Sequence, residues 1–276
     1  MAQHAFPDDE AILDLFERLA LEAGRAVMAI YATDFAANSK ADTSPVTAAD
    51  HAAEAIILAG LRAALPSVPC VAEEEAAADR VPDIGVGPFI LVDPLDGTRE
   101  FVNRNGDFTV NIALVRERVP VVGVVYAPAR GLLYSGRPGA AFATGAPHGS
   151  AAGERRPIRV RVPKKPLSIV ASRSHLTPNT AAFIDRFAGA ETVSVGSSLK
   201  FCMLASGEAD LYPRFGRTME WDTAAGDAIL RAAGGRMRRA DGGPFFYGKR
   251  NQADDVDFAN PWFVADVGQA VEAFGE

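Results

Sequence analysis

The chain has 276 residues, 48% of them apolar, and a formal net charge of -7. That is enough apolar material for a continuous core, and an acidic balance that excludes a long nucleic acid as the natural partner while leaving a small nucleotide open. The polar start over 1–9 lacks the pattern of a secretory signal and no apolar run reaches membrane-spanning length, so a cytoplasmic protein is expected, at most peripheral to the inner face of a membrane; Cys70 and Cys202 are too few for a disulfide framework or a thiolate zinc site and read as small buried groups.

Ile12, Phe16, Leu19, Ala23, Val27 and Ile30 recur at helical spacing and predict an amphipathic helix over 8–32, opened by Pro7 and the acids Asp8, Asp9 and Glu10. Lys40 to Val46 is polar and interrupted by Pro45, hence a loop. Thr47 begins a second helix that runs to about Leu65 and is stopped by Pro66 and Pro69. Cys70-Val71-Ala72 reads as a short strand delivering Glu73-Glu74-Glu75. After a Pro/Gly loop, Phe89-Ile90-Leu91-Val92 reads as a buried strand ending at Asp93. Phe108, Val110, Ile112 and Leu114 alternate with polar or small residues, and with a strand from Val119 to Tyr126 and short strands at 132–134 and 140–142 they predict an antiparallel meander.

The stretch from Thr144 to Arg156, rich in Ala and Gly, has the weakest pattern and is taken as the junction between an α+β half (1–150) and an α/β half (151–276). Beyond it strands at 167–171, 192–195, 210–212 and 237–238 alternate with helices opened by Thr177-Pro178, Ser198 and Thr223, the last stopped by Gly234-Gly235. The expectation is layered helices and sheets with ligands in the crevice between the halves.

The chemistry concentrates in Asp93-Pro94-Leu95-Asp96-Gly97-Thr98. Pro94 stiffens the turn and biases Asp93 toward an extended backbone, and Gly97 removes a side chain where a ligand would approach. Asp93, Asp96 and the Leu95 carbonyl are hard oxygen donors of the kind divalent cations take, and the N–H groups of Gly97 and Thr98 at a helix start suit a phosphate oxygen. Glu73 and Asp222 also stand at predicted element ends. Four converging acids would repel unless cations lay between them. Each has a structural alternative: Asp222 as a helix N-cap, Glu73 as a solvated member of its Glu run, and Asp50 as the last residue of a capping box Thr47-Ala48-Ala49-Asp50. The functional alternative pairs Asp50 with the Thr98 hydroxyl to polarise a metal-bound water.

Asp93 to Thr98 and Glu220-Trp221-Asp222-Thr223-Ala224-Ala225-Gly226 resemble the two signatures of the lithium-sensitive, magnesium-dependent phosphatase superfamily that includes inositol monophosphatases and fructose bisphosphatases. Within it, Lys40 to Thr47, Gly97 to Phe101, Arg104 to Ala113, Gly196-Ser197-Ser198-Leu199-Lys200-Phe201-Cys202 and Ala209 to Arg214 are similar to the 3'(2'),5'-bisphosphate nucleotidase branch of CysQ type, so the likeness spans nearly the whole chain. The resemblance implies a layered α-β-α-β-α sandwich, and two or three Mg2+ ions held by Glu73, Asp93, the Leu95 carbonyl, Asp96 and Asp222. It also implies a water positioned by Asp50, Thr98 and the Glu73-bound metal, attacking in line without a phospho-enzyme. Because Ala72 precedes three glutamates rather than two, Glu74 stays open as the ligand in place of Glu73.

By the same resemblance Gly97, Thr98, His175, Ser197, Lys200 and Arg214 face the substrate, and the last two suit a second phosphate. The bland alternatives are a solvated Lys200, a surface Arg214 and a structural His175. The implied reaction is hydrolysis of the 3'-phosphate of adenosine 3',5'-bisphosphate to AMP, and of the 3'-phosphate of its sulfated precursor, with sulfur assimilation as the setting and lithium as an inhibitor. The alternatives are an inositol or sugar phosphatase and a non-catalytic phosphate-binding module. The sequence is compatible with a monomer or a homodimer.

Overall fold

The computed structural model describes residues 6–33, 38–39, 45–46, 48–147, 152–172 and 176–268. Helix α1 (Asp9–Tyr31) starts where Asp8 Oδ1 accepts the Ala11 N–H at 2.8 Å, and it buries the stripe Ile12, Phe16, Leu19, Ala23 and Val27 that the spacing predicts. Strands β1 (Asn38–Ser39) and β2 (Pro45–Val46) pair antiparallel, so part of the expected loop over 40–46 is a strand; 40–44 lie outside the described residues. Pro45 is the first residue of its strand, where a missing N–H is tolerated. Helix α2 (Ala48–Ala64) follows; Thr47, its expected opening residue, lies outside the described residues.

The first sheet holds β3 (Cys70–Ala72), which leads directly into the short helix α3 (Glu73–Ala77), then β4 (Phe89–Asp96), helix α4 (Thr98–Val102), β5 (Thr109–Arg116), β6 (Val119–Ala127), β7 (Leu132–Arg137), β8 (Ala140–Gly145) and β9 (Arg156–Pro157). Its strands lie in chain order, with β3 parallel to β4 and the rest an antiparallel meander. Side chains alternate between its faces. Ile90, Val92, Ile112 and Leu114 pack with α1 and α2, whereas Phe89, Leu91, Ala113 and Val115 face the opposite way. Each large aliphatic group so buried contributes about 1.5–3 kcal/mol.

The second sheet is built from β10 (Ser168–Ser172), helix α5 (Pro178–Ile184), β11 (Glu191–Val195), helix α6 (Leu199–Ala205), β12 (Leu211–Arg214), helix α7 (Ala224–Ala232), β13 (Arg236–Arg239) and β14 (Phe263–Asp266). The order is β11-β10-β12-β14-β13. Sequence reading misses β14, a four-residue run that inserts antiparallel between β12 and β13 and makes the sheet mixed. Helices α6 and α7 fill the space between the sheets, with Phe201, Leu204, Ile229 and Leu230 in one core with Leu91 and Phe263. Helix α5 covers the far side through Phe183 and Ile184 on Ile169 and Leu211. The layers therefore run α1/α2, first sheet, α6/α7, second sheet, α5, the sandwich expected. Both thiols are buried and free.

Candidate active site

Strand β4 carries its alternation one residue beyond the apolar run. Asp93 keeps the parity of Phe89 and Leu91 and therefore points toward the α6/α7 layer, where it is 1% exposed. The strand was expected to end there, but the ladder to β5 skips and resumes at Asp96 opposite Thr109. This irregularity resets the alternation: Leu95 drops into the α1/α2 core, and its backbone is left at the turn. Gly97 has φ 93°, and a side chain there would meet the Asp107 carbonyl at 3.0 Å. Gly196 is equally confined, since a Cβ would lie 2.7 Å from Glu100 and 2.8 Å from the same carbonyl. Two glycines thus let the β4–α4 turn and the start of α6 close on one backbone segment, bringing Asp96 beside Ser198.

Each aspartate is aimed by one backbone donor. Asp93 Oδ1 accepts the Leu95 N–H at 3.1 Å, Asp96 Oδ2 accepts the Ser198 N–H at 2.6 Å, and Asp222 Oδ2 accepts the Met219 N–H at 2.8 Å. One oxygen of each is thereby fixed and the other is left for a ligand. The Asp222 bond also decides its structural alternative, because the N-cap of α7 is Thr223 and Asp222 reaches backward instead. Ser198 ties the halves together: its hydroxyl donates to the Asp222 carbonyl at 2.6 Å and accepts from Asn111 Nδ2 at 3.1 Å. Asn111 stands opposite Asp93 on β5.

These segments line a cavity of about 300 Å³ between the sheets. Glu73, Asp93, Leu95, Asp96, Gly97, Thr98 and Asp222 line it together with Ser197, Lys200 and Arg214. Glu74 also reaches the wall. Asp50 is buried at the start of α2 behind the acids, and its charge acts on Asp93. His175 lies outside the described residues. Lys200 and Arg214 are not the solvated charges that the bland alternative supposes. They are 5% and 8% exposed; Lys200 Nζ donates to the Ser197 carbonyl at 2.5 Å and stands 5.3 Å from the Tyr212 ring centre, and Arg214 donates to the Arg217 carbonyl at 3.1 Å.

Burial first, and then the charges of Glu73, Asp96, Asp222 and Asp50, push the Asp93 carboxyl well above its usual range. Asp96 is raised chiefly by burial, with Lys200 and the Ser198 bonds pulling it back. Asp222 is pushed up to about 7 by burial and by Asp96. Burial lowers Lys200 to about 8. Hard oxygen donors whose charged forms are disfavoured by burial and by one another are the donor set that a divalent cation suits. Among the described residues no group of three or more Asp, Glu, His or Cys side chains is placed to hold a metal ion.

The Inositol monophosphatase family model matches residues 8–268. The chain belongs to the inositol monophosphatase family. Within that family it is 44% identical over 258 residues to the 3'(2'),5'-bisphosphate nucleotidase CysQ of Escherichia coli strain K12, covering 93% of this chain and all of that one. The crystal structure of CysQ from Bacteroides thetaiotaomicron matches with a TM-score of 0.76 at 38% identity, over 93% of this chain and 97% of that one. An inositol monophosphatase from Anabaena matches with a TM-score of 0.72 at 25% identity, over 96% and 94%. Sequence reading for this family member assigned no role to several residues of the pocket and its surround, among them Asn111, Ser198, Tyr212, Arg99 and Arg217. Asn111 had a signal, a polar side chain in the middle of an apolar strand; Tyr212 had none, since it reads as core.

Proposed function

We propose that this chain is a magnesium-dependent 3'(2'),5'-bisphosphate nucleotidase that hydrolyses the 3'-phosphate of adenosine 3',5'-bisphosphate to leave AMP, and that of its sulfated precursor to leave adenosine 5'-phosphosulfate. The observation that carries the reading is that two buried cations, Lys200 and Arg214, line the same cavity as the carboxylates. A substrate with a second phosphate gives those cations an anion to hold. The Escherichia coli relative named above is a 3'(2'),5'-bisphosphate nucleotidase, which supports the same choice. An inositol monophosphate would leave Lys200 and Arg214 facing no second anion.

In this reading Glu73, Asp93, the Leu95 carbonyl, Asp96 and Asp222 hold two or three Mg2+ ions. Glu73 is preferred to Glu74 because its charge is the foremost of those acting on Asp93, whereas Glu74 turns a carboxylate oxygen to His51 at 3.7 Å. Bound magnesium supplies Lewis acidity toward the phosphoryl oxygens and the attacking water. The protein does the rest. Thr98 Oγ1, 3.4 Å from the Leu95 carbonyl oxygen, orients the water, and Asp50 receives its proton through that hydroxyl. The N–H groups of Gly97 and Thr98 face a phosphoryl oxygen, Ser197 the sugar, and Lys200 and Arg214 the remaining phosphate. Attack is in line with the leaving 3'-oxygen. Sulfur assimilation as the setting and inhibition by lithium rest on the family resemblance.

Phosphate release from adenosine 3',5'-bisphosphate, AMP and inositol 1-phosphate, each with and without Mg2+, tests the proposal. The bisphosphate should be favoured and the reaction should need the metal. A clear preference for inositol phosphate would refute the substrate, and full turnover under chelation would refute the metal.

A further inference from the structure

Helix α3 has an exposed difficulty at its start. It is five residues long, its N-cap Ala72 has no side-chain acceptor, and the first-turn N–H groups of any helix need partners from outside it. Glu73, the first helical residue, would swing with that turn if it frayed. The missing acceptor comes from α2. Glu54 is 5% exposed, and its Oε2 accepts the Glu74 N–H at 2.8 Å, with the Glu75 N–H also bonded to the carboxylate.

The placement follows from helix geometry. Asp50 and Glu54 are four residues apart and therefore share one face of α2, the face that also buries Ala53, Ile57, Leu58 and Leu61. One turn of α2 thus presents two carboxylates inward, Asp50 toward Asp93 and Glu54 toward the start of α3. A buried carboxylate is costly unless it is bonded, and two N–H donors at the positive end of a helix are a fitting partner. Burying a charge in order to anchor a five-residue helix makes sense where the direction of that helix matters.

We propose that Glu54 is a positioning residue, capping α3 from α2 and so holding Glu73 at the metal end of the pocket. The inference rests on reading Glu73 as a ligand. It assigns Glu54 no contact with substrate; its effect passes through the backbone of 73–75. Partners one step removed from metal ligands commonly govern affinity in this way, with losses of about 10–100-fold on removal.

Binding of Mn2+ to the purified full chain, followed by the electron paramagnetic resonance signal of the free ion and by the metal dependence of turnover, tests it. Glu54→Leu removes the acceptor and the buried charge while filling the space. It should weaken Mn2+ binding about tenfold and raise the half-saturating metal concentration by the same factor. Turnover at saturating metal should stay within about threefold of the parent, since the reacting groups are intact. Glu54→Gln keeps an oxygen for the Glu74 N–H and should bind Mn2+ within about threefold of the parent. Parent-like binding by Glu54→Leu, or an equal loss in Glu54→Gln, would overturn the capping role. Should Glu54→Leu not fold, Glu54→Asp replaces it: one methylene too short to reach, it should weaken Mn2+ binding more than Glu54→Gln, and the reverse ranking overturns the proposal. Glu73→Gln separates the two readings. If it weakens Mn2+ binding while Glu54→Leu does not, positioning alone fails; if it binds like the parent, the ligand assignment fails first.

Discussion

Two regions of this molecule gather acids, and they treat them in opposite ways. On α1, Glu10, Asp14 and Glu17 converge on the guanidinium of Arg155, at 2.5, 2.5 and 2.9 Å, and Arg137 bonds Glu10 as well. Their charges are matched from within, and Glu10 is held below its usual range, chiefly by the Arg137 bond. In the pocket Asp93, Asp96 and Asp222 are all raised, although Lys200 and Arg214 stand across from them. The first cluster is complete as it folds. The second is arranged at a cost in stability that an added cation would offset, which is what separates a structural ion network from a site awaiting a ligand.

The sharpest way to break that contrast is Asp93→Asn. The amide oxygen can still accept the Leu95 N–H, so the turn survives, but one of the gathered negative charges is gone. Loss of several kcal/mol of transition-state stabilisation corresponds to a fall in turnover of about a thousandfold. The melting temperature without metal should not fall, because one of several repelling charges has been removed. Undiminished turnover would place the chemistry elsewhere, and a large loss of stability would mean that the acids are structural.

Lys200→Met comes next. It keeps the buried volume but withdraws the charge that we assign to the second phosphate. At saturating Mg2+, kcat/KM for the bisphosphate should fall about 10–100-fold, the worth of one charge-assisted bond. Turnover of adenosine 3'-monophosphate, which keeps the scissile phosphate and lacks the second one, should change far less. Equal losses on both substrates would make Lys200 a core residue with no part in selecting the nucleotide.

The reach of sequence reasoning follows the same division. Asp93, Asp96 and Thr98 were legible because they sit in one short stretch, after a strand whose alternation fixes where the first acid points. The pairing of Asp222 with them is also foreseeable from the resemblance, but its backward bond to Met219 is not, since it depends on the fold of the turn. Glu54 escaped notice because one carboxylate on a helix face looks like any other until α3 is seen above it. Strand β14 was missed because a run as short as Phe263 to Asp266 carries almost no periodicity, and its place in the sheet is decided by β12 and β13. The burial of Lys200 and Arg214 is likewise a tertiary fact: their sequence neighbours would suit a surface equally well.

Metal linkage gives a third test, with a sign. The folded-state carboxyls of Asp93, Asp96 and Asp222 are raised above their unfolded values, so between about pH 4 and the value of about 7 for Asp222 the unfolded chain binds fewer protons than the folded one. Their contribution to stability is therefore full at the acid end and lost as the pH rises through that window. Divalent cation reverses the loss by binding only the folded state, contributing up to about 4 kcal/mol at a thousand times its dissociation constant. Melting curves with Mg2+ and with chelator should differ more at pH 8 than at pH 5. An equal or larger gap at pH 5 would mean that the raised acids are not where the ion binds.

The smallest expected effect belongs to the other cluster. Arg155→Ala leaves Glu10, Asp14 and Glu17 on adjacent turns of α1 without their shared cation, but Asp14 and Glu10 are well exposed and water can take over part of the role. A loss of about 1 kcal/mol is expected, a fall of about 2–4 °C in melting temperature for a chain of this size. Magnesium should not restore it, because the side chains of Glu10 and Asp14 are exposed beside the buried Glu17, and the three lack the fixed geometry that Leu95, Ser198 and Met219 impose on the pocket aspartates. Turnover should be unchanged. Rescue of the Arg155→Ala melting temperature by Mg2+, beyond the shift seen in the parent, would show that any crowd of acids on this protein recruits the ion, and the contrast between the two regions would dissolve.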